Sequence, residues 1–311
     1  MRQLGSTMRV LRPVPNVLAF YDGRLEGVRA YSDEPNWLDD GAYSLGICSY
    51  AIVDGPEALV YDTHLSIAHA GAIRQTLHAM AVRSIRVVLS HWHDDHVAGN
   101  EVFADCEMIA HAFTATALAG HRETFERGNP PIKPLVLPNR LYEGRLELKV
   151  GHIPVELRHA DIHSHDGTVL ILPGNSLLLA GDTLEDTITY VDEPARLGIH
   201  LDNLRSMSEW SISQILPNHG APEVIGAGGY GTPLIAATRR YVEKLLRCRT
   251  EPELAEEDLR TFVAEDLAAH SIFYFAPYEA VHHQNVRAVT SSSGDSDQNQ
   301  LHSSIPPKTT I

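Results

Sequence analysis

The sequence predicts an α/β sandwich in which two sheets pack face to face beneath outer helices. Two observations carry this expectation. Short apolar, β-branched runs recur along the chain, mostly bounded by Gly, Pro, Asp or Asn, and stretches with helical spacing separate them. Composition is the third: of 311 residues 43% are hydrophobic and 21% charged, enough apolar material for a sizeable core without staples.

The runs Val17–Tyr21, Ile47–Val53, Ala58–Asp62 and Ile85–Ser90 read as strands, as do Leu146–Val150, Val155–Arg158, Thr168–Leu172, Leu177–Ala180 and Ile212–Leu216. Ala68–Val82 places Ile73, Leu77 and Met80 on one helical face, and Phe113–His121 and Leu201–Trp210 are shorter helix candidates. After His219 the signals turn helical, with Pro233 opening Leu234–Arg247 and further candidates at Pro252–Ala269 and Pro277–Val289. These helices are expected to close one domain over residues 1–289. Thr290–Ile311, rich in Ser, Asp, Gln and Pro, is expected to be a disordered tail.

Forty acidic against 25 basic residues leave a formal charge of −15, which disfavours a nucleic-acid partner. Three widely spaced cysteines, Cys48, Cys106 and Cys248, indicate neither a disulfide framework nor a cysteine-based zinc site. The N-terminal stretch lacks the apolar core of a signal peptide, and the chain has no run of about 18 apolar residues. A cytoplasmic protein with no membrane partner is the expectation; composition says nothing of its oligomeric state.

The chemistry concentrates in Ser90-His91-Trp92-His93-Asp94-Asp95-His96-Val97-Ala98-Gly99-Asn100, directly after a predicted strand. Three imidazoles and a carboxylate within six positions form a convergent set of nitrogen and oxygen donors, costly to keep unpaired in a loop and suited to a divalent metal. There is no Gly-x-Ser-x-Gly elbow and no cysteine beside a histidine, so serine and cysteine nucleophile schemes have no comparable support. The glycine-rich stretch from Gly226 to Gly231 lacks both the dinucleotide fingerprint and the Walker lysine and reads as a plain loop.

The H-x-H-x-D-H pattern resembles the signature of the metallo-β-lactamase superfamily, and further motifs follow in its order. Asp62 ends an apolar strand, His163 opens His-Ser-His-Asp-Gly-Thr-Val-Leu, Asp182 lies in Leu-Ala-Gly-Asp-Thr-Leu, and His219 ends Ile-Leu-Pro-Asn-His-Gly. The resemblance covers Val17 to Gly220. It implies a four-layer αββα sandwich of two mixed β-sheets flanked by helices. It also implies two divalent metal ions, zinc by expectation with iron or manganese as alternatives. One ion would be held by His91, His93 and His163, the other by Asp95, His96 and His219, with the Asp182 carboxylate bridging and Asp62 orienting ligands from behind. Among His159, His163 and His165, the similarity of the third motif to the zinc β-lactamases selects His163.

The family chemistry implied is hydrolysis by a water shared between the two ions, its pKa lowered toward neutrality, with Asp95 as the catalytic residue that orients it. The small-molecule substrate that the resemblance implies is a small organic ester, lactone, thioester or cyclic amide. The alternatives are a phosphodiesterase and a non-catalytic, ligand-binding or regulatory member of the fold. Glu185, where many β-lactamases carry a substrate-binding lysine, is expected to disfavour a carboxylated drug. The segments Arg122–Leu141 and Thr183–His200 can border the cleft or serve as scaffold. His282 and His283 are expected on a solvated helix face.

Overall fold

In the computed structural model, which describes residues 4–291, the chain folds into two mixed sheets. The first has seven strands in sequence order: β1 (Arg9–Val14), β2 (Val17–Asp22), β3 (Ile47–Asp54), β4 (Glu57–Tyr61), β5 (Ser84–Val88), β6 (Glu107–His111) and β7 (Arg140–Tyr142). It is antiparallel through β4 and parallel from β4 to β7. The second comprises β8 (Arg145–Val150), β9 (Ile153–His159), β10 (Thr168–Leu172), β11 (Leu177–Gly181) and β12 (Gln214–Pro217), an antiparallel meander closed by β12 running parallel to β11.

Parallel neighbours need a crossover, and the helices supply it: Ile67–Ala79 joins β4 to β5, and Leu197–Met207 joins β11 to β12. Side-chain alternation then sets the layers. On β2, Val17, Ala19 and Tyr21 enter the core shared with Leu157, Leu170 and Leu179 of the second sheet, whereas Leu18 and Phe20 face Ala70, Ile73 and Leu77 of the outer helix. Strands β2, β10 and β11 are buried along their whole length because both faces are covered. The helices Pro233–Arg247 and Tyr278–Ser291 cover the second sheet, contributing Leu245 and Val281 to its core. The result is the αββα sandwich, with helices on both outer faces.

Strands β1, β6 and β7 were not expected from the sequence. β1 carries Arg9, Arg12 and Pro13 on a half-exposed edge, and β7 has three residues, too few to show alternation. The expected helix Pro252–Ala269 is broken into Pro252–Ala255, Leu259–Phe262 and Ala264–Ala268. The last helix continues to Ser291, two residues past the expected boundary at 289, and residues 292–311 of the expected tail lie outside the described residues. His282 is not solvated: it is fully buried against Phe262, its ring nitrogens meeting Tyr241 Oη and Glu257 O at 3.1 Å. Arg122–Leu141 serves as scaffold, packing Phe125, Ile132 and Leu135 into the core beneath the outer helices of the first sheet. No helix among the described residues is long and apolar enough to cross a membrane.

Candidate metal centre

Every candidate ligand leaves the C-terminal end of a strand. β4 runs into Asp62, β5 into the loop of His91, His93, Asp95 and His96, β9 into His163, β11 into Asp182 and β12 into His219. The backbone bends hard to achieve this: Asp62 and His163 have φ of +66° and +69°, left-handed conformations that L residues adopt at a cost. Gly99 lets the loop return tightly, since a Cβ there would lie 2.2 Å from Thr63 O and 2.4 Å from Ala70 Cβ.

The seven side chains come together in two sets. His91 Nε2 and His163 Nε2 each lie 3.0 Å from His93 Nδ1. Beside them, Asp95, His96, Asp182 and His219 bring one donor atom each within 4.8 Å of one another. Asp182 Oδ2 reaches both sets, at 3.1 Å from His96 Nε2, 3.4 Å from His219 Nε2, 3.7 Å from His91 Nε2 and 3.8 Å from His163 Nε2. Of the three histidines in the third motif, only His163 turns inward. His159 stacks on His111 at 4.2 Å, and His165 Nδ1 pairs with Glu193 Oε1 at 2.9 Å.

A second layer of contacts aims these rings. His96 Nδ1 donates to Asp62 Oδ2 at 2.9 Å, His163 Nδ1 to Tyr190 O at 2.9 Å, and His219 Nδ1 to Gly46 O at 2.7 Å. His91 Nδ1 meets Ser90 Oγ at 2.9 Å, and His93 Nε2 faces Asp192 Oδ2 at 3.4 Å. Because carbonyls and carboxylates only accept, the opposite nitrogens of neutral rings carry lone pairs into the centre. The His163 lone pair then faces that of His93, and those of His96 and His219 face carboxylates. Such an arrangement is repulsive unless a cation lies between. Tetrahedral nitrogen ligands about 2.0 Å from zinc are about 3.3 Å apart, close to the spacings here. Asp182 Oδ1 is buried and makes no hydrogen bond to any described residue, leaving a further acceptor for a cation. The residues fit a metal centre.

Electrostatics separates the two sets. Burial, reinforced by neighbouring histidines, holds His91 well below the ordinary imidazole range and His163 down at about 4. Burial opposes charge on His96 and His219 too, but Asp182 and its neighbouring carboxylates outweigh it, raising His96 well above the usual range and His219 to about 10. In the acid-rich set a proton does the work of a cation. Asp182 is correspondingly held far below the carboxylate range, burial being overcome by His96 and His219.

The centre floors a pocket whose rim comes from elsewhere in the chain. Asp40, Gly41, Ala42 and Leu45 belong to the segment between β2 and β3, while Val281 and Gln284 belong to the last helix. Glu185 also lines it, buried, with Tyr190 N and Tyr278 Oη each 2.9 Å from its oxygens, and burial with nearby Asp182 pushes its carboxyl up to about 8. Thr183–His200 does border the cleft, through Glu185 and Tyr190, whereas nothing in the sequence singled out Asp40, Gly41, Ala42, Leu45, Val281, Gln284 or Gly46. Asn218, beside His219 in Pro-Asn-His-Gly, could have been found from the motif.

Fold and donor set together define a two-sheet αββα protein with a histidine- and aspartate-rich centre at the strand ends. The family model of the metallo-beta-lactamase superfamily matches residues 45–252, and the chain belongs to that superfamily. Among curated relatives, the atrochrysone carboxyl ACP thioesterase AacuM of Aspergillus aculeatus is 26% identical over 183 residues, covering 58% of this chain and 53% of the relative. The atrochrysone carboxyl ACP thioesterase AgnL7 of Paecilomyces divaricatus is 26% identical over 210 residues, covering 66% and 60%. The chain thus spans little more than half the length of these relatives. Among solved structures, the VMB-1 crystal structure at pH 5.5 superposes with a TM-score of 0.58 at 14% identity, over 76% of this chain and 96% of that one. A metallo-beta-lactamase from Pontibacter korlensis gives 0.57 at 15% identity, over 76% and 99%. These likenesses show the fold.

Proposed function

We propose that this protein is a dinuclear, zinc-dependent hydrolase of a small-molecule thioester. The observation that carries the reading is the pair of convergent donor sets joined by the Asp182 carboxylate. Family membership supports hydrolysis, and relatives named as thioesterases favour a thioester over the ester, lactone and cyclic amide alternatives. His91, His93 and His163 would hold one ion and Asp95, His96 and His219 the other, with Asp182 between them. Two ions bound there would supply a water of lowered pKa and polarise the thioester carbonyl.

The chain's own groups do the rest. Asp95, 3.3 Å from His219 Nε2 and lining the pocket, is the carboxylate placed to orient the attacking water and accept its proton. Asp62, Gly46, Tyr190 and Asp192 fix the imidazoles so that the donors need not reorganise. The three cysteines are free, which suits the cytoplasmic location we propose.

The test is metal analysis followed by turnover. Protein loaded with zinc should hold close to two ions per chain and hydrolyse a thioester faster than a lactone or a phosphodiester. His93→Ala and Asp182→Ala should each lose most activity while retaining the fold, and His165→Ala should lose far less. A single tightly bound iron with an oxygen-dependent reaction would overturn the assignment.

A further inference from the structure

The family match covers the metal centre but leaves much of the pocket rim outside it. Asp40, Gly41 and Ala42 precede residue 45, and Val281 and Gln284 follow residue 252. What these residues offer a substrate is readable from their chemistry. Ala42, Leu45 and Val281 present apolar surface. Val281 is 4% exposed and Ala42 2%, each anchored in a packed core, so this surface is fixed before any ligand arrives.

Charge is the second observation. No lysine or arginine lines the pocket; besides the candidate ligands its ionisable groups are Asp40, Glu185 and the phenol of Tyr190. Asp40 is already claimed by the Arg29 guanidinium, which binds both of its oxygens from outside the pocket. An anionic acyl group would therefore lose its hydration against an apolar wall with no rim cation free to pair with it. The polar neutral group on the last helix is Gln284, half-buried, whose amide makes no hydrogen bond to any described residue. An amide at the edge of an apolar wall can hydrogen-bond one uncharged polar group of a ligand without favouring charge.

We propose that this rim selects the acyl group, admitting an uncharged, largely apolar one and rejecting one that carries a carboxylate, with Gln284 as the specificity-determining residue on the last helix. The inference rests on the thioesterase reading for its substrate. Ala42, Leu45 and Val281 give a larger apolar acyl group more surface to meet than a methyl offers. An aromatic acyl group should be preferred over acetyl.

The experiment compares acetyl, benzoyl and succinyl thioesters of N-acetylcysteamine on the zinc-loaded full chain and its Gln284→Lys variant. In the parent, kcat/KM for benzoyl should exceed that for succinyl at least tenfold. In Gln284→Lys, a cation on the rim should raise succinyl turnover about tenfold and lower benzoyl turnover, a gain that damage to the fold cannot produce. Equal use of succinyl and benzoyl by the parent, or an unchanged ratio in the variant, would overturn the inference. Succinate binding by equilibrium dialysis separates this failure from that of the thioesterase reading. If no thioester is hydrolysed but succinate binds Gln284→Lys about tenfold more tightly than the parent, the hydrolase reading falls and the rim's selectivity stands. If neither turnover nor succinate affinity responds, both fall.

Discussion

Asp62 shows how one side chain can govern a centre it does not enter. It is completely buried, and its Oδ1 accepts from Ser90 N at 2.6 Å while Oδ2 accepts from His96 Nδ1 at 2.9 Å and Asn218 Nδ2 at 2.6 Å. It thus ties the loops after β4, β5 and β12 together and fixes the His96 tautomer. In Asp62→Asn one oxygen becomes an NH2 that faces Ser90 N–H or the His96 and Asn218 donors in either orientation, and we expect zinc affinity to fall about 10–100-fold, read by competition with a chromogenic chelator. Gly99 acts through space instead. In Gly99→Ala the methyl must displace Thr63 O and Ala70, and a loss of about 1–3 kcal/mol in urea unfolding is expected, with the metal loop disturbed. At this scale the donors were legible, because imidazoles crowded within six positions have few structural uses. Their partners were less so: Gly46 and Tyr190 act through backbone carbonyls, which any residue type supplies.

At the scale of elements, the segment between β2 and β3 departs furthest from a strand-and-helix reading. It has a small core of Ala30, Leu38, Ala42 and Tyr43, to which Ile47 of β3 and Leu65 after β4 add, closed by the Asp39 carboxylate, which accepts from Ala30 N at 2.6 Å, Tyr31 N at 3.1 Å, Ser32 N at 3.0 Å and Asn36 Nδ2 at 3.0 Å. Trp37 Nε1 donates to Pro130 O at 2.8 Å, pinning the segment to the scaffold beyond the helix Arg122–Arg127. No periodicity announces such a fold, since its hydrogen bonds run from side chain to backbone. The recognised strands were the opposite case: central, covered on both faces and therefore apolar throughout. Asp39→Ala would leave three buried or half-buried amides without an acceptor, a local cost of about 1–3 kcal/mol each. We expect hydrogen exchange at residues 30–32 to quicken and the pocket rim to loosen, while amides in β3 and β10 keep their protection; uniform loss across the sheets would contradict an independently closed segment.

Across the whole molecule, the centre joins the two sheets. His91, His93, Asp95 and His96 come from the first sheet, His163, Asp182 and His219 from the second, so an ion shared among them would act as a staple across the sandwich. Ligand held at about 100 times its dissociation constant stabilises a fold by about 2.7 kcal/mol, and chelation should remove that contribution and lower Tm. The pH dependence of the loss is what makes the prediction specific. Without ions, His219 is raised to about 10, so the folded chain holds a proton that the unfolded chain releases near 6.5. Stability from this group is therefore complete below pH 6.5 and declines as pH rises toward 10. Glu185, raised to about 8, acts in the same direction between its ordinary value and pH 8. If His219 is a ligand as proposed, a bound ion would replace its proton and this decline would disappear. Melts at pH 6.5, 8 and 9.5 should show the chelated protein losing Tm at each step while the zinc-loaded protein stays nearly level. Parallel curves for the two forms would mean that the ions do not occupy the acid-rich set.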